Sequence, residues 1–206
     1  KKQGLGKFIY FKMDGSLHNG YEIVSHPFTS KARHKLMNWY KVLEYLRRSK
    51  AIAFKSDSAG LHIHVSRRAL TDLDIAKLKL FFWTCRENIK RVAGRGDNSY
   101  CAYQPFGISD LKNKNILNGS RYVAVNVNRS PSKPTVEFRI FKATLTWTRF
   151  IGCLQFTEAV TEYVKAHGAG SFCPNNPAAQ WQAFKGWVKR DGHYQHLLNH
   201  IERVGA

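Results

Sequence analysis

Short segments in which polar and apolar residues alternate recur along this chain, and they predict β-strands. The clearest is the segment 60–66, Gly-Leu-His-Ile-His-Val-Ser, in which every second residue is apolar. Because successive side chains of a strand point to opposite faces, we expect His62, His64 and Ser66 to share one face. A single His-x-His pattern more often marks the wet face of a half-exposed strand than a metal or phosphate site.

A second segment, 135–141, repeats this design and makes a functional site the better interpretation. Glu137 and Arg139 are two residues apart and share one predicted face, while apolar and aromatic residues occupy the other. Two strands that each carry ionisable groups on a single face indicate chemistry at that face.

The remaining pattern predicts an α+β fold with an antiparallel sheet and packed helices. Pro27 ends a strand because proline cannot donate to a ladder, and Thr71-x-x-Asp74 has the spacing of a capping box. Further strands are predicted at 8–13, 21–25, 51–54 and 121–127, and helices at 29–49, 71–92, 147–166 and beyond Pro174. The count is about six strands and four helices.

Composition indicates one domain spanning residues 1–206. Hydrophobic residues make up 43% of the chain and are spread along its length, which favours a packed globular body. No apolar run has the roughly 18 residues needed to cross a bilayer. The four cysteines, Cys85, Cys101, Cys153 and Cys173, lack the spacing of a disulfide scaffold, so we expect reduced thiols and a cytoplasmic location.

Charge suggests a polyanionic partner. Lys and Arg outnumber Asp and Glu by 33 to 14, a formal net charge of +19, which attracts nucleic acid or nucleotides. The basic residues are scattered, so a solvated surface is the alternative. In the last predicted helix, His193, His196 and His200 are spaced to share a face, and we expect a surface stripe rather than a metal site. The tryptophans Trp83, Trp181 and Trp187 are expected in the core.

Five blocks, taken together and in order, resemble the amidoligase family, which is related to glutamine synthetase and glutamate-cysteine ligase. They cover most of residues 10–160 and comprise 12–17 (KMDGSL), 20–27 (GYEIVSHP), 60–65 (GLHIHV), 121–126 (RYVAVN) and 135–141 (TVEFRIF). The resemblance implies a glutamine synthetase-like carboxylate-amine ligase fold. In such enzymes a sheet carries ATP with Mg²⁺, and an amine attacks an acyl phosphate to form an amide or isopeptide bond.

The resemblance also implies roles for individual residues. Glu22, Glu137 and His62 would hold the metal, with Asp14 either binding metal or only fixing its turn. His64 would contact the substrate carboxylate or phosphate, and Arg139 would neutralise charge on the transferring phosphoryl group. Arg121 and Asn126 are further candidates for phosphate or substrate contacts. The carboxylate and amine could belong to a peptide, a protein or a small molecule.

The chain departs from the family pattern at its beginning. Amidoligases usually open with a strand carrying Gly-x-Glu-x-Glu, which supplies acidic metal ligands, and no such motif precedes Lys12. We therefore expect either that the protein continues upstream of Lys1 or that the site has lost part of its metal shell. Replacement of Glu137 by Gln is expected to abolish magnesium-ATP binding, with the melting temperature unchanged or higher because an acid leaves the site.

Two other functions remain open. A catalytically degenerate amidoligase fold could serve as a basic nucleic-acid-binding or structural component, for example of a phage or mobile-element assembly. Alternatively, His62-Ile63-His64 could be the metal motif of a nicking endonuclease, with Tyr163 or Tyr194 as the nucleophile; that interpretation leaves Glu22 and Glu137 without a role.

Overall fold

A computed structural model of the chain describes residues 8–13, 15, 20–32, 37–56, 58–114, 116, 120–128, 134–172 and 175–206. It is a mixed α/β protein with small antiparallel sheets and packed helices, which confirms that level of the predicted fold. The residues group into two compact units. Unit 1 comprises 1–59 and 143–147, and unit 2 comprises 60–142 and 148–206. The single domain expected from composition stays a prediction.

Unit 1 contains a two-stranded antiparallel sheet and a helix. Strands β1 (Ile9–Met13) and β2 (Tyr21–Ser25) pair in the register Ile9 to Ser25, and helix α1 spans Trp39–Arg48. Among the described residues of unit 1, few apolar side chains are fully enclosed in a core. The buried members are Ile9, Met37 and Val42, with Phe8, Ile23, Trp39 and Leu46 packed against them.

Unit 2 is built on a three-stranded antiparallel sheet in the order β3-β5-β4. Strand β3 spans Gly60–Ser66, β4 spans Val125–Asn128 and β5 spans Thr135–Lys142. The central strand β5 buries Val136, Phe138, Ile140 and Phe141 against the helices. Its polar residues point to the other face, as the alternation predicts.

In the part of unit 2 that the structure describes there are six α-helices: α2 (Asp72–Thr84), α3 (Arg86–Ala93), α4 (Ile108–Lys112), α5 (Trp147–Ala166, its first residue in unit 1), α6 (Pro177–Asp191) and α7 (Gln195–Val204). A cluster of aromatic rings, including Phe81, Tyr163, Trp181 and Phe184, joins α2, α5 and α6. Trp181 is fully buried, and Trp83 and Trp187 pack against the same core, which confirms the assignment of these tryptophans to packing.

Several predicted element boundaries were wrong. Residues 51–54 form no strand, and the helix expected over 29–49 is not continuous, since residues 37–38 are not helical. The reason for the second error is local: the Asn38 side chain accepts a hydrogen bond from the Lys41 backbone N–H at 3.1 Å and starts α1 there. The helix expected over 71–92 is interrupted at Cys85, and Gly192, with φ of 77°, separates α6 from α7.

The predicted histidine stripe was also wrong. His200 is buried in the core, where its Nε2 lies 2.8 Å from the Val92 carbonyl oxygen and its Nδ1 lies 2.8 Å from Arg203 Nη2. His193 precedes α7 and pairs with Asp191 instead. The histidines therefore do not form one exposed face.

Three of the four cysteines, Cys85, Cys101 and Cys153, are free thiols, as expected, and all three are buried; Cys173 lies outside the described residues. Within the described part of the chain, no helix combines the length and the apolar character needed to span a membrane.

Candidate functional site

The register of the unit 2 sheet sets the geometry of the candidate site. Leu61 pairs with Phe141 and Ile63 with Phe138, so that two residues of β5, Arg139 and Ile140, stand opposite His62 alone. Such a β-bulge shifts the alternation by one residue. Because of this shift, the consecutive residues Ile140 and Phe141 are both buried. Glu137, which precedes the bulge, lies on the polar face of the sheet.

Glu137 lies at the centre of the polar sheet face. Its direct cross-strand neighbours are His64 of β3 and Asn126 of β4. The carboxylate is buried and satisfied: Arg139 Nη1 donates to its Oε1 at 2.7 Å, and Asn126 Nδ2 donates to its Oε2 at 2.9 Å. A buried carboxylate held by an amide and a guanidinium is fixed in position as well as in charge.

The two histidines predicted from the alternation both reach this carboxylate. His62 Nδ1 lies 3.3 Å and His64 Nε2 lies 3.8 Å from Glu137 Oε1. Burial, reinforced by the charge of Arg139, lowers the pKa of His62 to about 4, so its ring is neutral at pH 7. We assign the ring proton to Nδ1, which faces the acceptor-only carboxylate, and the lone pair to Nε2. The more exposed His64 has its Nδ1 at 3.0 Å from Thr135 Oγ1.

Aromatic and arginine side chains border the site. Arg139 Nε donates to the Tyr100 carbonyl oxygen at 3.2 Å, and its guanidinium lies 5.5 Å from the centre of the Tyr122 ring. Arg121 stacks on the same ring at 4.8 Å and donates to the Tyr122 hydroxyl at 2.6 Å. The structure thus places Arg121, a predicted phosphate ligand, on the exposed surface, where it contacts the same Tyr122 ring as Arg139. Asn126, the other such candidate, contacts Glu137.

Sequence reasoning missed Arg95. It lies in the loop after α3, and its guanidinium Nη1 would be 2.9 Å from a Cβ atom placed on Gly60, while His62 Nε2 would be 3.1 Å from the same atom. Arg95 is therefore packed over Gly60 beside the histidine ring. Nothing in the local pattern of residues 94–100 assigns Arg95 to the sheet; the Gly at the head of the His-x-His segment was the available signal.

Two predicted metal ligands are not part of the unit 2 cluster as described. Glu22 lies on β2 in unit 1, where its Oε2 is 3.6 Å from Lys12 Nζ of the paired strand. Asp14 lies outside the described residues. The structure therefore brings together five of the predicted residues, namely His62, His64, Asn126, Glu137 and Arg139.

The fit to magnesium is sparse. Among the described residues, no group of three or more His, Cys, Asp and Glu side chains is arranged to hold a metal ion. The three strands contain one acid, Glu137, and Mg²⁺ prefers oxygen to imidazole nitrogen. Nucleotide-bound Mg²⁺ nevertheless often takes only one or two carboxylates, with water and phosphate oxygens as its other ligands. Glu137 is the one candidate ligand for that mode on the three strands, although both its oxygens already accept hydrogen bonds from Arg139 and Asn126, and a cage made of protein ligands alone does not fit.

The nucleophiles nominated for a nicking reaction are poorly placed. Tyr163 and Tyr194 are buried among the helices, and burial raises the pKa of both phenols. Cys101, near the site, is no better a nucleophile, because burial raises its pKa to about 11. An attack on a phosphodiester by any of these groups would need them to leave the core.

Comparison of the chain with models of known protein families, with curated proteins and with solved structures found no match. The resemblance to the amidoligases, and the roles it implies, stay predictions. The class of protein that the structure itself defines is a mixed α/β protein with a buried carboxylate, two imidazoles and several guanidinium groups gathered on one sheet face.

Proposed function

We propose that this protein is an ATP-dependent carboxylate-amine ligase of the glutamine synthetase-like fold, and that the polar face of the β3-β5-β4 sheet belongs to its active site. One observation carries the proposal. Glu137, a buried carboxylate, is held by Arg139, Asn126 and a neutral His62 on the face that the amidoligase resemblance assigns to catalysis.

Physical cost supports a functional role for this cluster. Burying a guanidinium and a carboxylate gives little stability compared with well-packed apolar side chains, because both ions lose their hydration. The imidazole of His62 beside them has a pKa well below its ordinary value, so it stays neutral. Such departures from local consistency concentrate at functional sites. A scaffold that used this sheet for stability alone would gain more from apolar residues.

The side chains suit the chemistry of a phosphorylated intermediate. Ligation of a carboxylate to an amine requires the carboxylate first to become a better electrophile, and transfer of a phosphoryl group from ATP achieves this. Arg139 is placed to neutralise negative charge that grows on the transferring group. Magnesium held by Glu137 would supply further charge neutralisation at the phosphates. The neutral His62 ring presents its Nε2 lone pair as a hydrogen-bond acceptor for a substrate N–H or O–H.

Magnesium-ATP binding tests the proposal without knowledge of the carboxylate or the amine. We expect calorimetric titration to show magnesium-dependent binding to the unaltered chain. In Glu137→Gln we expect affinity to fall by about tenfold or more, since the one acid of the sheet is removed. Glu202→Gln, which removes an exposed acid on α7, is the matched control and should bind as the unaltered chain does.

The same variant should be less stable, contrary to the expectation from sequence. That expectation assumed repulsion between acids, but the groups around Glu137 are a guanidinium, an amide and two imidazoles. Loss of its charge leaves Arg139 partly buried without a counter-ion, so the melting temperature should fall by roughly 4–8 °C. Magnesium-ATP binding that Glu137→Gln leaves unchanged would refute the assignment of Glu137 and remove the main support for a ligase.

A specific observation favours nucleic-acid binding as a second candidate. On one face of the β1-β2 hairpin, Phe11, Met13 and Tyr21 are exposed by 62%, 78% and 67%, in a chain of net charge +19. Exposed aromatic rings with a positive electrostatic field are the usual components of a surface that stacks unpaired bases.

A further inference from the structure

Arg95 is a partly buried cation that lacks an acidic partner within the described residues. Its Nη2 donates a long hydrogen bond to Asn98 Oδ1 at 3.5 Å. The next acid along the chain, Asp97, is already engaged: its Oδ2 lies 2.7 Å from Lys90 Nζ, and its Oδ1 accepts from the Tyr103 backbone N–H. An arginine in such a position contributes electrostatic cost rather than stability to the ligand-free protein.

The surroundings of Arg95 increase that cost. Both Arg95 and Arg139 lower the pKa of the His62 ring electrostatically, which shows that both guanidinium groups lie near it. Arg139 uses Nη1 for Glu137 and Nε for Tyr100, and in the described part of the chain its Nη2 has no hydrogen-bond partner. With His62 neutral, two guanidinium groups face one carboxylate, so the cluster carries an excess positive charge.

Gly60 makes this arrangement possible. A Cβ atom there would come within 2.9 Å of Arg95 Nη1, closer than Cβ atoms approach other atoms in proteins, and within 3.1 Å of His62 Nε2, which is a tight contact. The absence of a side chain at the start of β3 lets the guanidinium reach the histidine ring. Since β3 needs no glycine for its extended backbone at this position, the close approach itself gives the glycine its role.

We propose that Arg95 and Arg139 together bind a phosphoryl group beside His62. This inference rests on the proposed function in one respect only, namely that the phosphoryl group belongs to a nucleotide. Guanidinium groups present paired N–H donors that match phosphate oxygens, and a bound anion would satisfy the excess charge of the cluster. The neutral His62 ring adds no further positive charge, and because its Nε2 carries a lone pair, the donors to the phosphoryl oxygens are the two guanidinium groups. Arg95 is in this view a substrate-binding residue that joins the α3–α4 loop to the sheet.

Inorganic pyrophosphate, titrated by calorimetry with no magnesium present, tests the proposal without using ATP. We expect the unaltered chain to bind it and Arg95→Gln to lose about tenfold or more in affinity, because charge-assisted hydrogen bonds to the phosphoryl oxygens are lost. Arg95→Lys keeps the charge but not the fork of donors, so its affinity should be intermediate. Arg68→Gln, which removes an exposed arginine beyond the other end of β3, is the control and should bind within about twofold of the unaltered chain.

Thermal stability separates a binding role from a structural one. Arg95→Gln removes a cation without an acidic partner, so its melting temperature should be unchanged or higher. Gly60→Ala should weaken pyrophosphate binding as well, since the added methyl group displaces Arg95 from the ring. A fall in melting temperature with unchanged pyrophosphate affinity in Arg95→Gln would assign Arg95 to structure and overturn the proposal.

Failure of the phosphoryl site can be distinguished from failure of the ligase assignment. If the unaltered chain does not bind pyrophosphate, the phosphoryl site is refuted, whereas magnesium-ATP binding that depends on Glu137 would still support the ligase. If Arg95→Gln loses pyrophosphate binding and Glu137→Gln leaves magnesium-ATP binding unchanged, the phosphoryl site is supported and the ligase assignment fails.

Discussion

His62 shows how a single residue in this protein depends on both its strand and its neighbours. The alternation of β3 determines that it shares a face with His64, and pairing with β5 then places its Nδ1 at 3.3 Å from Glu137. Burial and the two guanidinium groups oppose protonation of the ring more strongly than Glu137 favours it. The residue identity alone, with an ordinary pKa of 6.5, would suggest a group that titrates near neutral pH.

A pH dependence of stability follows from this environment. The pKa of His62 is 6.5 in the unfolded chain and about 4 in the folded protein, so the unfolded state binds more protons between these values. The free energy of unfolding should therefore fall as the pH drops from 6.5 towards 4, and this residue should have no effect on it above 6.5. After allowance for a ring that is about one-third exposed, we expect a contribution of about 1–2 kcal/mol.

Denaturant unfolding at pH 7 and pH 4.5 measures this contribution. His62→Gln should reduce the difference in stability between the two pH values, while His196→Gln, an exposed histidine on α7, should leave it unchanged. Some dependence will remain, because burial also lowers the pKa of His200. If His62→Gln and the unaltered chain show the same difference, the ring is not held neutral by its surroundings.

At the scale of elements, the start of a helix could be predicted where the sequence contains a capping motif. The capping box predicted at the start of α2 is present: Thr71 Oγ1 accepts from the Asp74 backbone N–H at 3.1 Å, and Asp74 Oδ2 accepts from the Thr71 backbone N–H at 3.0 Å. The interruption of the helix at Cys85 was missed because the sequence there has neither proline nor glycine. The pattern predicted from sequence continues across Cys85, so no local signal marks the break.

Removal of this cap should destabilise α2 measurably. Thr71→Ala takes away the hydroxyl acceptor that satisfies an N–H of the first turn, and we expect the free energy of unfolding to decrease by about 1 kcal/mol. Urea denaturation followed by circular dichroism is the measurement. Ser109→Ala, which removes an exposed hydroxyl within α4, serves as the control and should change stability by less than about 0.5 kcal/mol. Equal effects of the two substitutions would contradict a capping role for Thr71.

At the scale of the whole molecule, charge and exposed aromatic surface are the dominant features that the sheet site does not explain. The net charge of +19 predicts attraction to any polyanion. It does not by itself distinguish specific binding from a general electrostatic effect, because both weaken as salt is added. The exposed rings of the β1-β2 hairpin in unit 1 provide the means to separate the two.

We expect a fluorescent single-stranded oligonucleotide to bind the protein with an affinity that falls steeply between 50 and 200 mM salt. If bases stack on the hairpin, the double substitution Phe11→Ala and Tyr21→Ala should weaken binding by about thirtyfold or more at constant salt, since each stacked base contributes roughly 1–3 kcal/mol. Tyr45→Ala, an exposed ring on α1, is the control. Equal binding by the double variant and the unaltered chain would leave only the salt-dependent electrostatic term and reject a base-stacking surface.

The sequence by itself determined the local features of this protein. Alternation placed His62 and His64 on one face of β3 and Glu137 and Arg139 on one face of β5, because side-chain direction in a strand depends only on position parity. Composition and spacing likewise predicted buried tryptophans, free thiols and the α2 cap.

Only the tertiary structure decided what those residues meet. The bulge in β5, the pairing of Asn126 with Glu137 and the approach of Arg95 over Gly60 join segments that are from 11 to 80 residues apart in the chain. Register and loop placement depend on how the whole apolar set packs, and no local pattern encodes them. For the same reason, the sequence indicated which charged residues belong to the site but not the net charge of the cluster that they form. The excess of guanidinium over carboxylate groups, and the neutral histidine between them, follow from burial and distance.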